Sequence, residues 1–149
     1  MTPRTRPPAL PLAAPVLCRT LHGGAVAVRA FAQPASVIGT PASAEQVIAI
    51  HFSGDAVVEQ RLGTAWRTAR LERGDLTLLP PFTPTEWRLH GAVAFLHVAV
   101  DHDWLQQFAR TRRFIARRAR LCVQPLLGQR DATIAALGTL VWDHLHRPR

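Results

Sequence analysis

Among the 149 residues, seven histidines, four tryptophans and two cysteines have the most to offer chemically. His51 and His97 each fall inside a run of apolar and β-branched residues, Val47-Ile48-Ala49-Ile50-His51-Phe52 and Val93-Ala94-Phe95-Leu96-His97-Val98-Ala99-Val100, which places each on an expected strand. His97 shares strand parity with Phe95 and Ala99, opposite Leu96, Val98 and Val100. If that face turns to the inside of a barrel, His51 and His97 join Trp66 and Trp87 around a pocket in which apolar area supplies affinity and a few polar groups fix orientation. A loop running from Pro80 through Thr85 is aimed at one mouth of the same barrel, because Pro80 forces its strand off the ladder. The expected ligand-binding residues are therefore His51, Trp66, Thr85, Trp87 and His97, and the expected ligand is a small-molecule effector.

Other chemistries find less. No Ser or Cys is followed by a placed base, no Gly-rich phosphate loop precedes a helix, and the carboxylates of the β-rich segment mostly lie beside Arg or in turns. No catalytic residue, metal ligand or cofactor is expected, and the chain is expected not to be an enzyme. Cys18 and Cys122 stand 104 positions apart with no CxxC, which favours a reduced, cytoplasmic compartment over a disulfide framework. Arg, Asp, Glu, Gly or Pro interrupts every candidate apolar run, so no membrane span is expected.

All 18 basic residues are Arg, and the net charge of +8 is unevenly spread. Residues 104–130 hold seven Arg and no acid, whereas residues 21–103 hold six Arg against eight acids. Arg110, Arg112, Arg113, Arg117, Arg118 and Arg120 form the densest cluster. It reads as a solvated helix or connector, and if helical it spreads its guanidiniums around the axis; the alternative is nonspecific nucleic-acid binding, with no sequence-specific DNA contact.

The elements that must position these residues follow from the turn residues. From residue 25 to residue 100 the chain breaks into about seven short β-rich runs at the spacing of an antiparallel sandwich or barrel. The runs are residues 25–31, 47–52, 56–61, 66–71, 76–79, 86–89 and 93–100, with a loose Pro/Ala/Ser loop over residues 33–44. Gly74 permits a positive φ, and Asp75 can bond nearby backbone amides. At Asp101 or Asp103 a helix is expected to begin, carrying Trp104, Leu105 and Phe108, and Asp131 is a second N-cap candidate. Beyond it Ile134, Leu137, Val141 and Leu145 recur down one side and form the expected dimerisation surface, with Leu140 and Trp142 widening it. Residues 1–20 read as a flexible, Pro-rich lead-in, leaving one domain over residues 21–149.

The ordered set of Ile48-Ala49-Ile50-His51-Phe52-Ser53-Gly54, Trp66, the Gly74-Asp75-Leu76-Thr77-Leu78-Leu79-Pro80 core, Trp87, Leu96-His97-Val98-Ala99-Val100-Asp101 and a closing helix near Asp131 resembles the cupin β-barrel. More specifically, it is similar to the N-terminal sensing domain of AraC-type transcription regulators. The resemblance implies a mainly β, double-stranded β-helix (jelly-roll) fold followed by C-terminal helices. It also implies a homodimer paired through the helices after the barrel, acting as a small-molecule-sensing and dimerisation domain. Two departures stand out. Metal-binding cupins carry a His-x-His pair on an early strand and a later His past a Pro-x-Gly loop; here the barrel segment has no such pair, Phe82 replaces the loop glycine, and Thr85 stands where the last His falls. The helix-turn-helix half is also expected to be lacking. A metal-independent cupin isomerase or lyase is the alternative activity, and would require a polar-lined lumen with a titrating base, whereas a sensor needs an apolar cavity of roughly a few hundred Å³.

Overall fold

The computed structural model describes residues 9–148. Eleven strands form two sheets among them. In chain order they are β1 (Leu10–Pro11), β2 (Leu17–Leu21), β3 (Val26–Gln33), β4 (Ser36–Thr40), β5 (Glu45–Ser53), β6 (Ala56–Leu62), β7 (Ala65–Leu71), β8 (Asp75–Leu79), β9 (Thr85–Leu89), β10 (Val93–Asp101) and β11 (Leu126–Arg130). Helix α1 (His102–Thr111) follows β10, and α2 (Ala132–His146) follows β11.

The strand orders are β1-β4-β9-β6-β7 and β11-β8-β5-β10-β3-β2. Setting aside β1, β2 and β11, the eight strands β3–β10 sort as β4-β9-β6-β7 facing β8-β5-β10-β3, with every neighbouring pair antiparallel. That alternation is the jelly roll, the architecture that cupins share. The expected class, a mainly β double-stranded β-helix followed by helices, is the architecture observed. Closure is completed by β11, which pairs with β8 on one sheet while Gly128 lies against Leu71 and Ala69 of the other, where a Cβ would stand 3.1 and 3.3 Å from them.

Two segments differ from the sequence expectation, the loop before β5 and the lead-in. The supposed loop over residues 33–44 contains β4, whose Ser-Val-Ile-Gly-Thr run pairs with β9 along its whole length. Pro34 and Pro41 lie just outside it, where the absence of a donor costs no ladder bond. The Arg-rich stretch is not helical after residue 111; residues 112–125 are irregular. Of the lead-in, Leu10–Pro11 pairs with β4 and Leu17–Leu21 with β3, while residues 1–8 lie outside the described residues.

The apolar side chains divide into two layers. Between the sheets lie Ile38, Ala56, Val58, Leu89 and Val93, with Leu71, Trp87 and Phe95 packed on them. Outside the six-stranded sheet, Val28, Ala30, Ile50, Phe52 and Leu96 are covered by α2 through Ile134, Val141, Trp142 and Leu145. Trp142 stacks on Phe52 with ring centroids 4.4 Å apart. Gly138 brings the helix down onto this face, since a Cβ there would stand 2.7 Å from Ile50 Cδ1. Of the four residues expected to mediate dimerisation, Ile134, Val141 and Leu145 are thus occupied by the protein's own sheet. Leu137 is exposed, together with Leu140. The i, i+3, i+7, i+11 spacing does put all four on one stripe about 80° wide, but Leu137 stands at its edge, beyond the reach of the sheet.

Both expected caps form: the Asp101 carboxylate accepts from the Trp104 amide at 2.8 Å, and Asp131 accepts from the Ile134 amide at 2.9 Å. Cys18 and Cys122 are both exposed and unbridged. No helix among the described residues is long and apolar enough to cross a membrane.

Candidate functional site

The period-2 alternation of the strands sends one set of side chains into the space between the sheets. From the six-stranded sheet these are Ala49 and His51 of β5, Asp75, Thr77 and Leu79 of β8, and Val93, Phe95 and His97 of β10. Ile38, Thr40, Val58, Leu71, Trp87 and Leu89 face them from the other sheet, and Leu12 joins at the end. They enclose a cavity of about 70 Å³, room for on the order of five water-sized spheres. This is smaller than the expected few hundred Å³, because Phe31, Phe95 and His97 pack as a cluster of rings 4.8 to 5.2 Å apart.

Three of the five expected ligand-binding residues, His51, Trp87 and His97, line this cavity. Thr85 is buried beside it, opposite Thr40 in the sheet, without lining it. Trp66 lies outside: Leu71 faces the lumen, so the opposite parity of Trp66 sends its ring to the outer face of β7. There the Arg88 guanidinium sits 4.0 Å from its ring centroid. The sequence reading missed Ile38 and Thr40, which lay in the supposed loop, and Val58 and Leu71, which were recognisable only once strand parity was fixed.

Almost every polar group around the cavity already has a protein partner. His51 Nε2 donates to the Gly54 carbonyl at 2.5 Å, and since a carbonyl only accepts, the proton sits on that nitrogen. Thr77 Oγ1 accepts from the Gly128 amide at 3.3 Å, and Thr40 Oγ1 donates to the Thr85 carbonyl at 3.4 Å. The Asp75 carboxylate accepts from the Glu72 amide at 2.8 Å and from Arg130 Nε and a terminal guanidinium nitrogen at 3.2 and 3.1 Å. As expected, Gly74 adopts a positive φ, 89°, in the turn that sets up Asp75.

Neither His97 nor the Trp87 indole N–H has such a partner among the described residues, and His97 is the group with two ring nitrogens to offer. It is half-buried, and it lines the cavity. Burial, and secondarily the positive charge of Arg29, push its pKa down to about 3, so the imidazole is neutral near pH 7. Arg29 is itself fixed by a two-pronged pair with Glu45, at 3.0 and 3.1 Å. A neutral imidazole among apolar walls offers one donor and one acceptor and no charge.

Among the described residues no group of three or more His, Cys, Asp or Glu side chains is placed to hold a metal ion. The lumen therefore does not fit the imidazole and carboxylate cage through which metal-binding cupins work, since such a cage needs about three converging ligands.

No family model matches the chain, and no curated protein matches it. Similar solved structures include a Salmonella typhimurium LT2 protein named for ethanolamine utilization, EutQ, at 19% identity over 53% of this chain and 60% of that one, TM-score 0.44. The cupin domain of Cnp3 from Schizosaccharomyces pombe is 13% identical over 66% of this chain and 69% of that one, TM-score 0.49. YcfD, a ribosomal oxygenase from Escherichia coli, is 15% identical over 83% of this chain, TM-score 0.39. The chain spans 60% of the EutQ chain and 38% of the YcfD chain.

Proposed function

We propose that the protein is a binding module that senses a small, uncharged, mostly apolar molecule inside its jelly roll, and that it descends from the sensing domain of AraC-type regulators. The observation that carries this is the lumen: an apolar cavity whose polar rim is otherwise satisfied by the protein, leaving the neutral His97 ring and the Trp87 indole N–H to orient a guest. A guest with a formal charge would enter unpaired, at a cost of several kcal/mol. Catalysis at this site has little support, since Asp75 is held by Arg130 and His51 by Gly54. The AraC-type ancestry rests on the ordered motifs of β5, β8, β9 and α2. Pairing into a homodimer is part of the same proposal and falls to Leu137 and Leu140 of α2, 57% and 67% exposed.

The test is thermal unfolding with a panel of short alkanes, short branched alcohols and their charged analogues, on the wild type and on Ala49→Leu, which fills the cavity from β5. Uncharged compounds should raise the wild-type melting temperature by mass action, charged ones should not, and Ala49→Leu should abolish the effect. Equal stabilisation of both proteins would place binding elsewhere, and stabilisation by the charged analogues alone would overturn the proposed ligand class.

A further inference from the structure

The lumen reading leaves unused the most strongly charged part of the molecule. Arg110, Arg112, Arg113, Arg117, Arg118 and Arg120 are all exposed, and among the described residues none of them takes part in an ion pair. Residues 112–125 are irregular, so these side chains are not distributed around a helix axis; the segment folds back along α1 instead. Gln106 holds it there: its side-chain amide donates to the Leu121 carbonyl at 2.7 Å and accepts from the Leu121 amide at 2.8 Å. Arg110 reaches the Ala119 carbonyl as well.

The aromatic rings of α1 run into this basic segment. Trp104 and Phe108 stack with centroids 5.1 Å apart, Phe114 follows at 6.2 Å from Phe108, and the Arg112 guanidinium lies 5.7 Å from the Phe108 ring. Phe114 is 73% exposed, far more than a ring serving the core. Two open grooves meet here: one lined by Arg110, Arg113, Phe114, Ile115 and Arg117, the other by Phe82, His102, Gln106, Arg110 and Arg120, with Asp103 as its one acid. They meet at Arg110, and this track carries one exposed phenyl ring in each groove, Phe114 and Phe82.

We infer that this track binds single-stranded nucleic acid without reading its sequence. Guanidiniums free of protein carboxylates pair with phosphates, and unpaired bases, each with an open π face, stack on Phe114 and Phe82. A duplex hides its base faces and offers only phosphates. An anionic membrane takes the continuous apolar face of an amphipathic helix, whereas residues 112–125, which carry Phe114 and five of the six Arg, are irregular. This site is separate from the lumen and does not depend on what the lumen binds.

The experiment is fluorescence anisotropy of a labelled single strand of about 15 nucleotides, a duplex of the same length, and heparin as competitor, from about 50 to 200 mM salt. The single strand should bind more tightly than the duplex, and its log affinity should fall against log salt with a slope of roughly −2 to −3, since each phosphate contact on a single strand contributes about −0.7. Phe114→Ala, at an exposed position that spares the fold, should weaken single-strand binding by about five- to a hundredfold with the slope unchanged. The Arg113→Ala, Arg117→Ala double variant should make the slope shallower by about 1.4. Three results would overturn the inference: no binding at the lowest salt; equal binding of single strand and duplex with no effect of Phe114→Ala, which is polyanion attraction alone; or co-sedimentation with phosphatidylserine vesicles while the strand stays free.

Discussion

Replacing His97 by Leu should change how stability depends on pH. In the folded protein the His97 imidazole has its pKa pushed down to about 3, first by burial and then by Arg29. In the unfolded chain it titrates near 6.5, the ordinary histidine value. Between these two values the unfolded chain carries one more proton than the folded protein, so protons pull the equilibrium toward unfolding. The contribution is complete above pH 6.5 and is lost as the pH falls toward 3. Each pH unit in that window is worth a tenfold change in the folding constant, so lowering the pH from 6.5 to 4.5 should cost on the order of 3 kcal/mol through this residue alone. Carboxylates such as Asp55 and Glu59, held below their usual range by Arg70 and by His90 with Arg88, also lose stability at low pH, in both proteins alike. The difference between wild type and His97→Leu therefore isolates the histidine. Urea unfolding at half-unit steps from pH 4.5 to 7.5 should give a steeper wild-type decline, with the two curves parallel above pH 7. Parallel curves throughout would mean that the His97 ring is hydrated or protonated in the folded state, and the apolar lumen would fail with it.

Three further substitutions probe the frame around the site. Gly54→Ala should destabilise by at least roughly 2 kcal/mol by denaturant midpoint, because the residue has φ of 83° and a Cβ would fall 2.1 Å from the Ala92 carbonyl oxygen; it should also free His51 Nε2. Asp131→Ala should cost about 1 kcal/mol, the usual worth of an N-cap, measured by the same method. Gln106→Leu keeps the apolar volume but removes both bonds to the Leu121 backbone, so trypsin should cut after Arg112 to Arg120 several times faster than in the wild type; an unchanged rate would show that the segment is held by something else.

The fold was legible in the sequence wherever alternation and turn residues agreed. The hairpin at Gly63, the Gly74-Asp75 turn, the end of β8 before Pro80 and both aspartate caps stand where their chemistry puts them. What was lost was local and had local causes. The β4 run is short and flanked by prolines, and its pairing with β9 spans many intervening residues, a contact no window of sequence contains. With β4 went Ile38 and Thr40 of the lumen. Trp66 was misplaced because the notion that tryptophans gather at a pocket ignores strand parity, which Leu71 on the same strand settles. Leu137 was grouped with Ile134 and Leu145 by spacing, although only the packing on Ile50 and Phe52 decides how much of that stripe is covered. Whether the Arg-rich segment is a helix or a connector is not legible, because nothing in its composition decides between them; its actual path depends on Gln106, a polar residue buried by tertiary contact.

Crystals of the protein pressurised with xenon probe the lumen directly. Dry apolar cavities take up such a guest. Density for xenon between Ala49, Val58, Trp87 and Phe95, absent in Ala49→Leu crystals, is the expected result. A chain of ordered waters bonded through the same space to His97 and unmoved by xenon would contradict it.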